Sequence, residues 1–285
     1  MPFYNASQTL QRAVSSLRCI SPENRQRVKL IGIDDGSTDD GPEVFSRESE
    51  KITGMSWELL SKRNGGSGSA RNMALRSFSE GWTLCLDADD EITIDPLKFL
   101  DTALNVNAVI FDAAYCRNGK TTSSIRAHQP DPKRLPEIFS SRNPYPTISI
   151  AFKREQLQSL FDENMKYLED WYFFARNSLL FSNCAVRPGI CIGKVYGGVK
   201  NKSADQYQNG LYRVKIADNL ASFWGNASCI VSNNLRIQGA IGRIQMGQKC
   251  DWSAFLRIPA SPAIYAKLVV YTMLYRLYLA IYPYR

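Results

Sequence analysis

Two hydrophobic periodicities alternate along the first part of the chain. Leu10, Ala13, Val14 and Leu17 stand at positions i, i+3, i+4 and i+7, which predicts an amphipathic helix beginning near Ser7. Short apolar runs bounded by polar residues are typical of buried strands. Such runs occur at 28–33, 57–60, 84–86 and 108–111. Helical segments are predicted between them, and this alternation of strand and helix predicts an α/β fold built on a parallel sheet.

Acidic residues follow two of these apolar runs directly. Asp35 comes after the first run, and Asp87, Asp89 and Asp90 come after the third. Because an unpaired carboxylate is costly inside a core, these groups should lie at exposed strand ends, where ligands of parallel sheets bind. Crowded carboxylates repel one another unless a cation or a ligand neutralises them. Their hard oxygen atoms suit Mg²⁺ or Mn²⁺, so the cluster predicts a metal–diphosphate site; the alternative is an acidic turn.

A glycine-rich loop at 62–68 leads into the next predicted helix. Its glycines permit close backbone approach to a ligand, and the start of the helix offers free N–H groups to an anion. Arg71 in that helix could pair with a phosphate. The alternative is a flexible loop with a surface arginine, but the position one strand ahead of the acidic cluster favours phosphate binding.

The carboxylates Glu169 and Asp170 precede a strongly aromatic segment at 171–174. Aromatic surface desolvates a neighbouring carboxylate and raises its pKa toward the value of a useful general base. Phe173 and Phe174 are expected in the core.

The rest of the chain gives weaker patterns. Residues 113–147 are polar and predict loops with an irregular sheet extension. Strands are predicted at 147–152 and 186–195, and helices at 155–161, at 168–181 and twice between 204 and 246. From 263 to 282, tyrosines recur at helical spacing with only Lys267 and Arg276 charged, which is typical of a helix in the headgroup region of a membrane. The alternative is a C-terminal helix packed on the domain.

Charge and cysteine content narrow the class of protein. The net charge of +8 favours an anionic partner, but the lysines and arginines form no basic stripe, so nucleic acid is not expected as a partner. The seven cysteines include no C-x-x-C pair, and several lie in or beside apolar runs. This favours reduced thiols in a cytoplasmic protein.

Five short motifs stand in one order along the chain. They are Pro2-Phe3-Tyr4-Asn5-Ala6, Asp34-Asp35-Gly36-Ser37-Thr38-Asp39, Asn64-Gly65-Gly66 with Ala70-Arg71-Asn72, Leu86-Asp87-Ala88-Asp89-Asp90, and Glu169-Asp170-Trp171. Each is weak alone, but their order and spacing resemble glycosyltransferase family 2 over about residues 1–195. The resemblance implies a GT-A fold, which is a Rossmann-like, mostly parallel sheet flanked by helices. It also implies a nucleotide-sugar donor, a divalent metal (Mn²⁺ or Mg²⁺) and inversion at the anomeric carbon.

The resemblance also implies roles on the donor side of the site. The donor-binding residues it implies are Pro2, Tyr4, Asp35, Arg71, Asp87 and Asp89. Asp35 would hold uracil, which favours a UDP-sugar; the alternative for Asp35 is an Asx-turn or a helix cap. One carboxylate of the acidic cluster would meet the ribose and another the metal. We take Asp89 and Asp90 as the metal ligands, although the sequence does not partition the three carboxylates.

On the acceptor side, the resemblance makes Asp170 the general base that deprotonates the acceptor hydroxyl. Glu169 and Trp171 would contact the acceptor, and Trp171 could stack on a sugar. The alternative for the aromatic residues is that they belong to the core.

We predict a GT-A domain over residues 1–200 and a helical extension over residues 201–285. In this family a short apolar strand normally precedes the Pro-x-Tyr-Asn turn, whereas Met1 stands directly before Pro2 here. We therefore hypothesise that the natural start lies upstream or that this copy is impaired.

Taken together, the sequence predicts an inverting glycosyltransferase that builds a bacterial cell-surface or extracellular polysaccharide. It would act on a saccharide or lipid-linked acceptor, in the cytoplasm, peripherally at the inner face of the cell membrane. One alternative is a sugar nucleotidyltransferase, which shares the need for metal and diphosphate but usually opens with a glycine-rich basic loop. The other is a non-catalytic peripheral membrane protein that retains the fold.

Overall fold

The computed structural model describes residues 1–103, 105–117, 119–135, 138–139, 143–196 and 206–223. The strands in these ranges are β1 Pro2–Phe3, β2 Lys29–Asp34, β3 Ser56–Ser61, β4 Trp82–Leu84, β5 Glu91–Ile92, β6 Ala108–Arg117, β7 Lys120–Ile125, β8 Ile150–Lys153 and β9 Cys184–Tyr196. The α-helices with described bounds are α1 Ser7–Ser16, α2 Pro22–Arg25, α3 Gly41–Glu50, α4 Ser67–Arg76, α5 Leu97–Leu100, α6 Glu169–Arg176 and α7 Gln206–Phe223.

The first sheet is parallel, as the alternating pattern predicts. Its order is β1-β2-β3, and β3 pairs with β2 along all six residues of β2. The short strand β1 pairs only with Ile33 and Asp34, at the carboxyl end of β2. The turn after β1 and the acidic residues after β2 therefore lie side by side at one edge of the sheet.

The second sheet is mixed. Its order is β4-β8-β6-β9-β5, with β7 paired to β6 at the side of this path. Strand β6 runs parallel to β9 but antiparallel to β7 and β8. The polar region predicted as loops with an irregular extension forms the end of β6 and the whole of β7, which returns along β6 as a hairpin with a register shift at Tyr115 and Cys116.

The predicted apolar face of α1 is buried. Leu10 and Val14 have no exposed surface and share a core with Phe3 and Phe45, whose stacked rings have centroids 5.7 Å apart. Each fully buried side chain of this kind stabilises the fold by about 1.5–3 kcal/mol relative to an exposed one. This core fixes α1 and α3 against β1 and so sets the position of the turn between β1 and α1.

The helix predicted at 155–161 is wrong. Only a 3₁₀ turn at Arg154–Gln156 forms, after which Leu157 is extended. Side-chain oxygens from other segments take the N–H groups that such a helix would need: Asn177 accepts that of Ser159 at 3.0 Å, and Asn72 accepts that of Phe161 at 2.8 Å. Asn177 also separates α6 from a 3₁₀ turn at Ser178–Phe181 within the helical segment predicted at 168–181.

The contacts divide the chain into two compact units. The first comprises residues 1–132, 145–173 and 177–198, and the second comprises residues 133–144, 174–176 and 199–285. The second unit contains α7, which confirms the first of the two helices predicted between 204 and 246. The second of those helices and the segment 263–282 lie outside the described residues. Within the ranges described, no helix is both long and apolar enough to cross a bilayer.

Candidate active site

The carboxylate of Asp35 anchors the glycine-rich loop. It accepts hydrogen bonds from the backbone N–H groups of Gly65 at 2.9 Å and Gly66 at 2.7 Å, and from the ammonium of Lys62 at 2.9 Å. Gly66 has φ +93°, a left-handed conformation that favours glycine, and it is the residue directly before α4. Asp35 is 3% exposed. These bonds span 27 to 31 positions of the chain, so they are not the local Asx-turn given as an alternative for this residue, and uracil binding stays a prediction.

Asp34 and Asp39 stabilise the turn that follows β2 and the starts of α1 and α3. The Asp34 carboxylate accepts the N–H of Ser37 at 2.8 Å. The Asp39 carboxylate accepts the N–H of Ser7 at 2.9 Å and that of Gly41 at 3.1 Å, so it caps the start of two helices at once. These bonds fix the turn that follows Pro2 and leave Tyr4 half-exposed beside the strand ends.

The buried guanidinium of Arg71 connects the acidic turn after β4 with the start of α6. Its Nη2 donates to the Asp87 carboxylate at 2.5 Å, and its Nη1 donates to the Glu169 carboxylate at 3.4 Å. The hydroxyl of Ser67, the first residue of α4, also donates to Glu169. Arg71 is therefore not the surface arginine of the alternative interpretation. It connects the donor-side carboxylate Asp87 to the residue preceding Asp170.

The carboxyl groups of Asp89 and Asp90 both have raised pKa values. Burial, followed by repulsion from Asp87 and Asp89, raises the pKa of Asp90 to about 8. Burial and Asp87 also raise the pKa of Asp89. One oxygen of Asp90 accepts the backbone N–H of Tyr196 at 3.0 Å, which ties the acidic turn to the end of β9.

This donor set is compatible with a divalent metal. Burial and mutual repulsion raise the pKa values of these carboxyl groups, a bound cation would relieve both effects, and carboxylate oxygens are the ligands that Mg²⁺ and Mn²⁺ prefer. No group of three or more histidine, cysteine or acidic side chains is preformed as a metal cage in the described part of the chain. A metal held by Asp89 and Asp90 would therefore take its remaining ligands from donor phosphate oxygens and water.

Arg12 is a site residue that belongs to none of the sequence motifs. Its guanidinium donates to the backbone carbonyl of Asp89 at 2.6 Å, pairs with Glu91 at 3.1 Å and lies 3.9 Å from the ring centroid of Tyr196. The Tyr196 hydroxyl in turn donates to Glu91 at 3.0 Å. These contacts clamp both sides of the acidic turn. The sequence could have indicated only that Arg12 lies on the polar face of α1.

Asp170 has the pKa of a candidate base. Burial, followed by repulsion from Glu169, raises its pKa to about 6, although Arg71 opposes this shift. Tyr115, on β6, is a second residue without a sequence motif. Burial raises the pKa of its hydroxyl, and the charges of Asp170 and Asp90 raise it further. Tyr115 therefore lies near the carboxyl groups of both Asp170 and Asp90.

Trp171 lies in the interior and is 2% exposed. Its burial is the core role that was the alternative for the aromatic segment, and stacking on a sugar would require the side chain to be uncovered. Phe173 is buried as expected and stacks on Phe161, with ring centroids 3.9 Å apart. Glu169 is bound to Ser67 and Arg71, so acceptor contact by Glu169 or Trp171 stays a prediction.

The sequence and the fold are similar to those of known glycosyltransferases. The sequence model of Glycosyl transferase family 2 matches residues 1–179. A glycosyltransferase of Haemophilus influenzae is 27% identical over 223 residues, which cover 76% of this chain and 85% of that protein. The minor teichoic acid biosynthesis protein GgaA of Bacillus subtilis is 27% identical over 193 residues, covering 63% of this chain. The chain spans 42% of the length of GgaA and 58% of that of the succinoglycan biosynthesis protein ExoO of Rhizobium meliloti.

Solved structures share the fold. S. aureus TarS 1–349 in complex with UDP-GlcNAc has a TM-score of 0.64 at 15% identity, covering 95% of this chain and 77% of that one. The mannosyltransferase PcManGT from Pyrobaculum calidifontis, in complex with GDP-Man and Mn²⁺, has a TM-score of 0.57 at 16% identity, covering 98% and 81%.

The fold is the GT-A fold of glycosyltransferases. The chain belongs to glycosyltransferase family 2.

Proposed function

We propose that this protein is a metal-dependent, inverting glycosyltransferase that moves a sugar from a nucleotide-sugar donor to a saccharide or lipid-linked acceptor. The observation that carries the proposal is the link made by Arg71 between Asp87 on the donor side and Glu169, which precedes Asp170. This link brings two features into one site. One is the acidic turn that carries Asp87, which would face the donor diphosphate, and the other is the carboxyl group of Asp170, with a pKa of about 6.

The proposed reaction is a direct displacement. Asp170 accepts the proton of the acceptor hydroxyl as its oxygen forms a bond to the anomeric carbon of the donor sugar. The bond from that carbon to the diphosphate breaks, and the nucleoside diphosphate leaves with the bonding electrons. General-base action of this kind contributes about 10²–10⁴-fold to the rate. The raised pKa of Asp170 suits this role because a stronger base accepts the proton more readily.

The donor would bind at the carboxyl ends of β2 and β4. Asp35 and the loop it anchors would lie against the base, with the turn that carries Pro2 and Tyr4 beside them. Asp87 would meet the ribose, whereas Asp89 and Asp90 would hold Mn²⁺ or Mg²⁺. When bound, such a metal neutralises the charge of the departing diphosphate. Arg12 would keep the backbone of the acidic turn in place while phosphate oxygens approach.

A UDP-sugar is the favoured donor, and bacterial cell-surface polysaccharide is the favoured product. The UDP-GlcNAc complex of TarS supports the donor class, and the teichoic acid and succinoglycan proteins support the product class. The Mn²⁺ in the PcManGT complex supports the metal. We propose a peripheral position at the inner face of the membrane, with 263–282 as the contact, because the net charge of +8 and the tyrosine pattern of this segment suit a membrane surface. A sugar nucleotidyltransferase is no longer favoured, because the chain belongs to a glycosyltransferase family.

The decisive experiment is a donor screen. The protein is incubated with Mn²⁺ and each of several UDP-, GDP- and dTDP-sugars, and released nucleoside diphosphate is measured. We expect release with one or a few UDP-sugars and none in the presence of EDTA. Absence of release with every donor, together with no Mn²⁺-dependent binding of UDP, would overturn the proposal. Release that persists in EDTA would overturn its metal part alone.

A further inference from the structure

Tyr115 lies on the face of the second sheet that is turned toward the acidic turn. The pairing of β6 with β9 shifts in register between Phe111 and Ala113, and the residues on either side of the shift pack in different cores. Phe111 packs in a cluster with Ala151 of β8, whereas Ala113 packs in the cluster that contains Ala88 of the acidic turn. Because residues two positions apart in a strand share a face, Tyr115 lies on the same face as Ala113.

The end of β9 brings Asp90 next to this part of β6. Tyr115 pairs with Val195 of β9, which packs against the same cluster as Ala113. The following residue, Tyr196, donates its backbone N–H to the Asp90 carboxylate at 3.0 Å. Asp90 is therefore held one residue beyond the strand partner of Tyr115.

The first half of α6 covers the same face of the sheet. The rings of Phe152 on β8 and Phe173 on α6 have centroids 5.8 Å apart. Phe152 directly follows Ala151, so its side chain lies on the opposite face from the cluster that contains Ala151. Asp170 is the second residue of α6. The start of this helix therefore brings Asp170 to the side of the sheet on which Tyr115 lies.

A group between Asp90 and Asp170 would face the transferred sugar. In the proposed displacement, the diphosphate leaves from one side of the anomeric carbon, where the acidic turn holds it. The acceptor hydroxyl, deprotonated by Asp170, arrives from the other side, so the transferred sugar lies between the two carboxyl groups. Burial, followed by the charges of Asp170 and Asp90, raises the pKa of the Tyr115 hydroxyl, which agrees with a place for this hydroxyl between them.

The hydroxyl of Tyr115 is available for a ligand. Tyr115 is half-buried, and its backbone carbonyl accepts the Thr122 hydroxyl at 3.2 Å. Within the part of the chain that the structure describes, no hydrogen bond reaches its phenol oxygen. The hydroxyl of a tyrosine in such a half-buried position usually has a hydrogen-bond partner. Because a hydroxyl can both donate and accept, it can pair with a sugar hydroxyl in either role.

We propose that Tyr115 binds the transferred sugar, with its phenol hydroxyl hydrogen-bonded to one hydroxyl of that sugar in the complex with a UDP-sugar. Tyr115 then contributes to the choice of sugar, because a donor that lacks this hydroxyl, or carries it in the opposite configuration, loses the bond. The inference rests on the proposed function, since it requires a nucleotide-sugar donor.

The test compares Tyr115→Phe, which keeps the ring and removes the hydroxyl, with the wild type. The matched control is Tyr145→Phe, because the Tyr145 hydroxyl donates to the backbone carbonyl of His128 at 3.3 Å. Calorimetry with Mn²⁺ measures the Kd for UDP and for the UDP-sugar that the donor screen identifies. For Tyr115→Phe we expect the Kd for the UDP-sugar to rise about three- to tenfold, as is usual for one lost neutral hydrogen bond. The Kd for UDP should change by less than about twofold, and the control should change neither value.

Deoxy forms of the donor sugar identify the contact directly. Each form lacks one sugar hydroxyl, and its Kd is measured with the wild type and with Tyr115→Phe. We expect one deoxy form to bind the wild type more weakly than the complete donor does, but to bind Tyr115→Phe as well as the complete donor does. This loss of additivity is the sign that the two hydroxyls contact each other.

Three results would overturn the inference. They are an unchanged Kd for the UDP-sugar, an equal rise for UDP and for the UDP-sugar, and losses that add at every position of the deoxy series. The equal rise would mean that the substitution disturbs the nucleotide site or the fold. If the wild type bound no nucleotide sugar, the proposed function would fail and this inference with it. If the wild type bound the donor and Tyr115→Phe bound it equally well, this inference alone would fail.

Discussion

Arg71 and Asp87 form a short ion pair, with 2.5 Å between the guanidinium Nη2 and the carboxylate oxygen. The arginine is 6% exposed and also reaches Glu169 at 3.4 Å, so one cation balances two carboxylates from different parts of the chain. A buried charge of this kind depends on its partners, and its removal leaves them uncompensated. Arg71 is thus both a structural element of the acidic edge and the link between its two halves.

Replacement of Arg71 should therefore destabilise the protein. We expect Arg71→Ala to lower the free energy of unfolding by about 3–5 kcal/mol, because the partly buried carboxylates Asp87 and Glu169 would lose the cation that balances both of them. Urea denaturation measures this change. Arg76→Ala is the matched control, since Arg76 lies one and a half turns further along α4 and pairs with Glu163 at an exposed position. Its cost should be about 0–1 kcal/mol. Equal costs for the two variants would contradict the structural role of Arg71.

Asp170→Asn should abolish transfer while leaving donor binding intact. Asparagine keeps the size of the side chain but cannot accept the acceptor proton, so kcat should fall by about 10²–10⁴-fold. Titration of the variant with UDP in the presence of Mn²⁺ measures donor binding, and product formation measures transfer. Asp40→Asn, an exposed site just before α3, serves as the control and should retain activity. If Asp170→Asn transferred sugar at the normal rate, Asp170 would not be the base.

The raised pKa of Asp170 also predicts two pH effects. For activity, the base must be ionised, so kcat/KM should fall as the pH drops below about 6. The contribution of Asp170 to the free energy of unfolding should change in the opposite direction and increase as the pH falls. Because the pKa is about 6 in the folded state and 3.8 in the reference state, the native protein binds this proton more tightly, and its contribution is complete below about pH 3.8.

That contribution is lost as the pH rises from about 3.8 to about 6. At pH 8, Asp170→Asn should therefore unfold with a free energy up to about 3 kcal/mol higher than that of the wild type, and this advantage should disappear near pH 4. Urea denaturation at the two pH values measures the difference. A stability gain that is equal at both pH values would indicate that the substitution acts through packing rather than through titration.

The sequence predicted those features of the site that depend on short motifs. The apolar face of Leu10 and Val14, the strand before Asp35 and the acidic turn after β4 all follow from local pattern, and the structure contains them. Family membership then makes the GT-A fold secure. The mixed second sheet did not follow, because pairing of β6 with β8 and β9 joins residues far apart in the chain.

The same reason explains the contacts that sequence reasoning missed. Arg12 reaches Asp89 across 77 positions, and the Tyr196 amide reaches Asp90 across 106. Neither pair has a local signature, so only the fold reveals them. The prediction of a helix at 155–161 failed in a related way, because Asn177 accepts the N–H of Ser159 across 18 positions and Asn72 accepts that of Phe161 across 89. Local propensity cannot anticipate a competing acceptor supplied by another segment.

Removal of either predicted metal ligand should weaken metal binding without unfolding the protein. In Asp89→Asn and in Asp90→Asn, one charged oxygen ligand is lost, so the Kd for Mn²⁺ in the presence of UDP should rise by at least about tenfold. Titration calorimetry or the electron paramagnetic resonance signal of free Mn²⁺ measures this change. Asp101→Asn is the control, because Asp101 is exposed and pairs with Arg27. If both ligand variants bound Mn²⁺ as the control does, Asp87 would become the leading candidate and the assignment of Asp89 and Asp90 would be wrong.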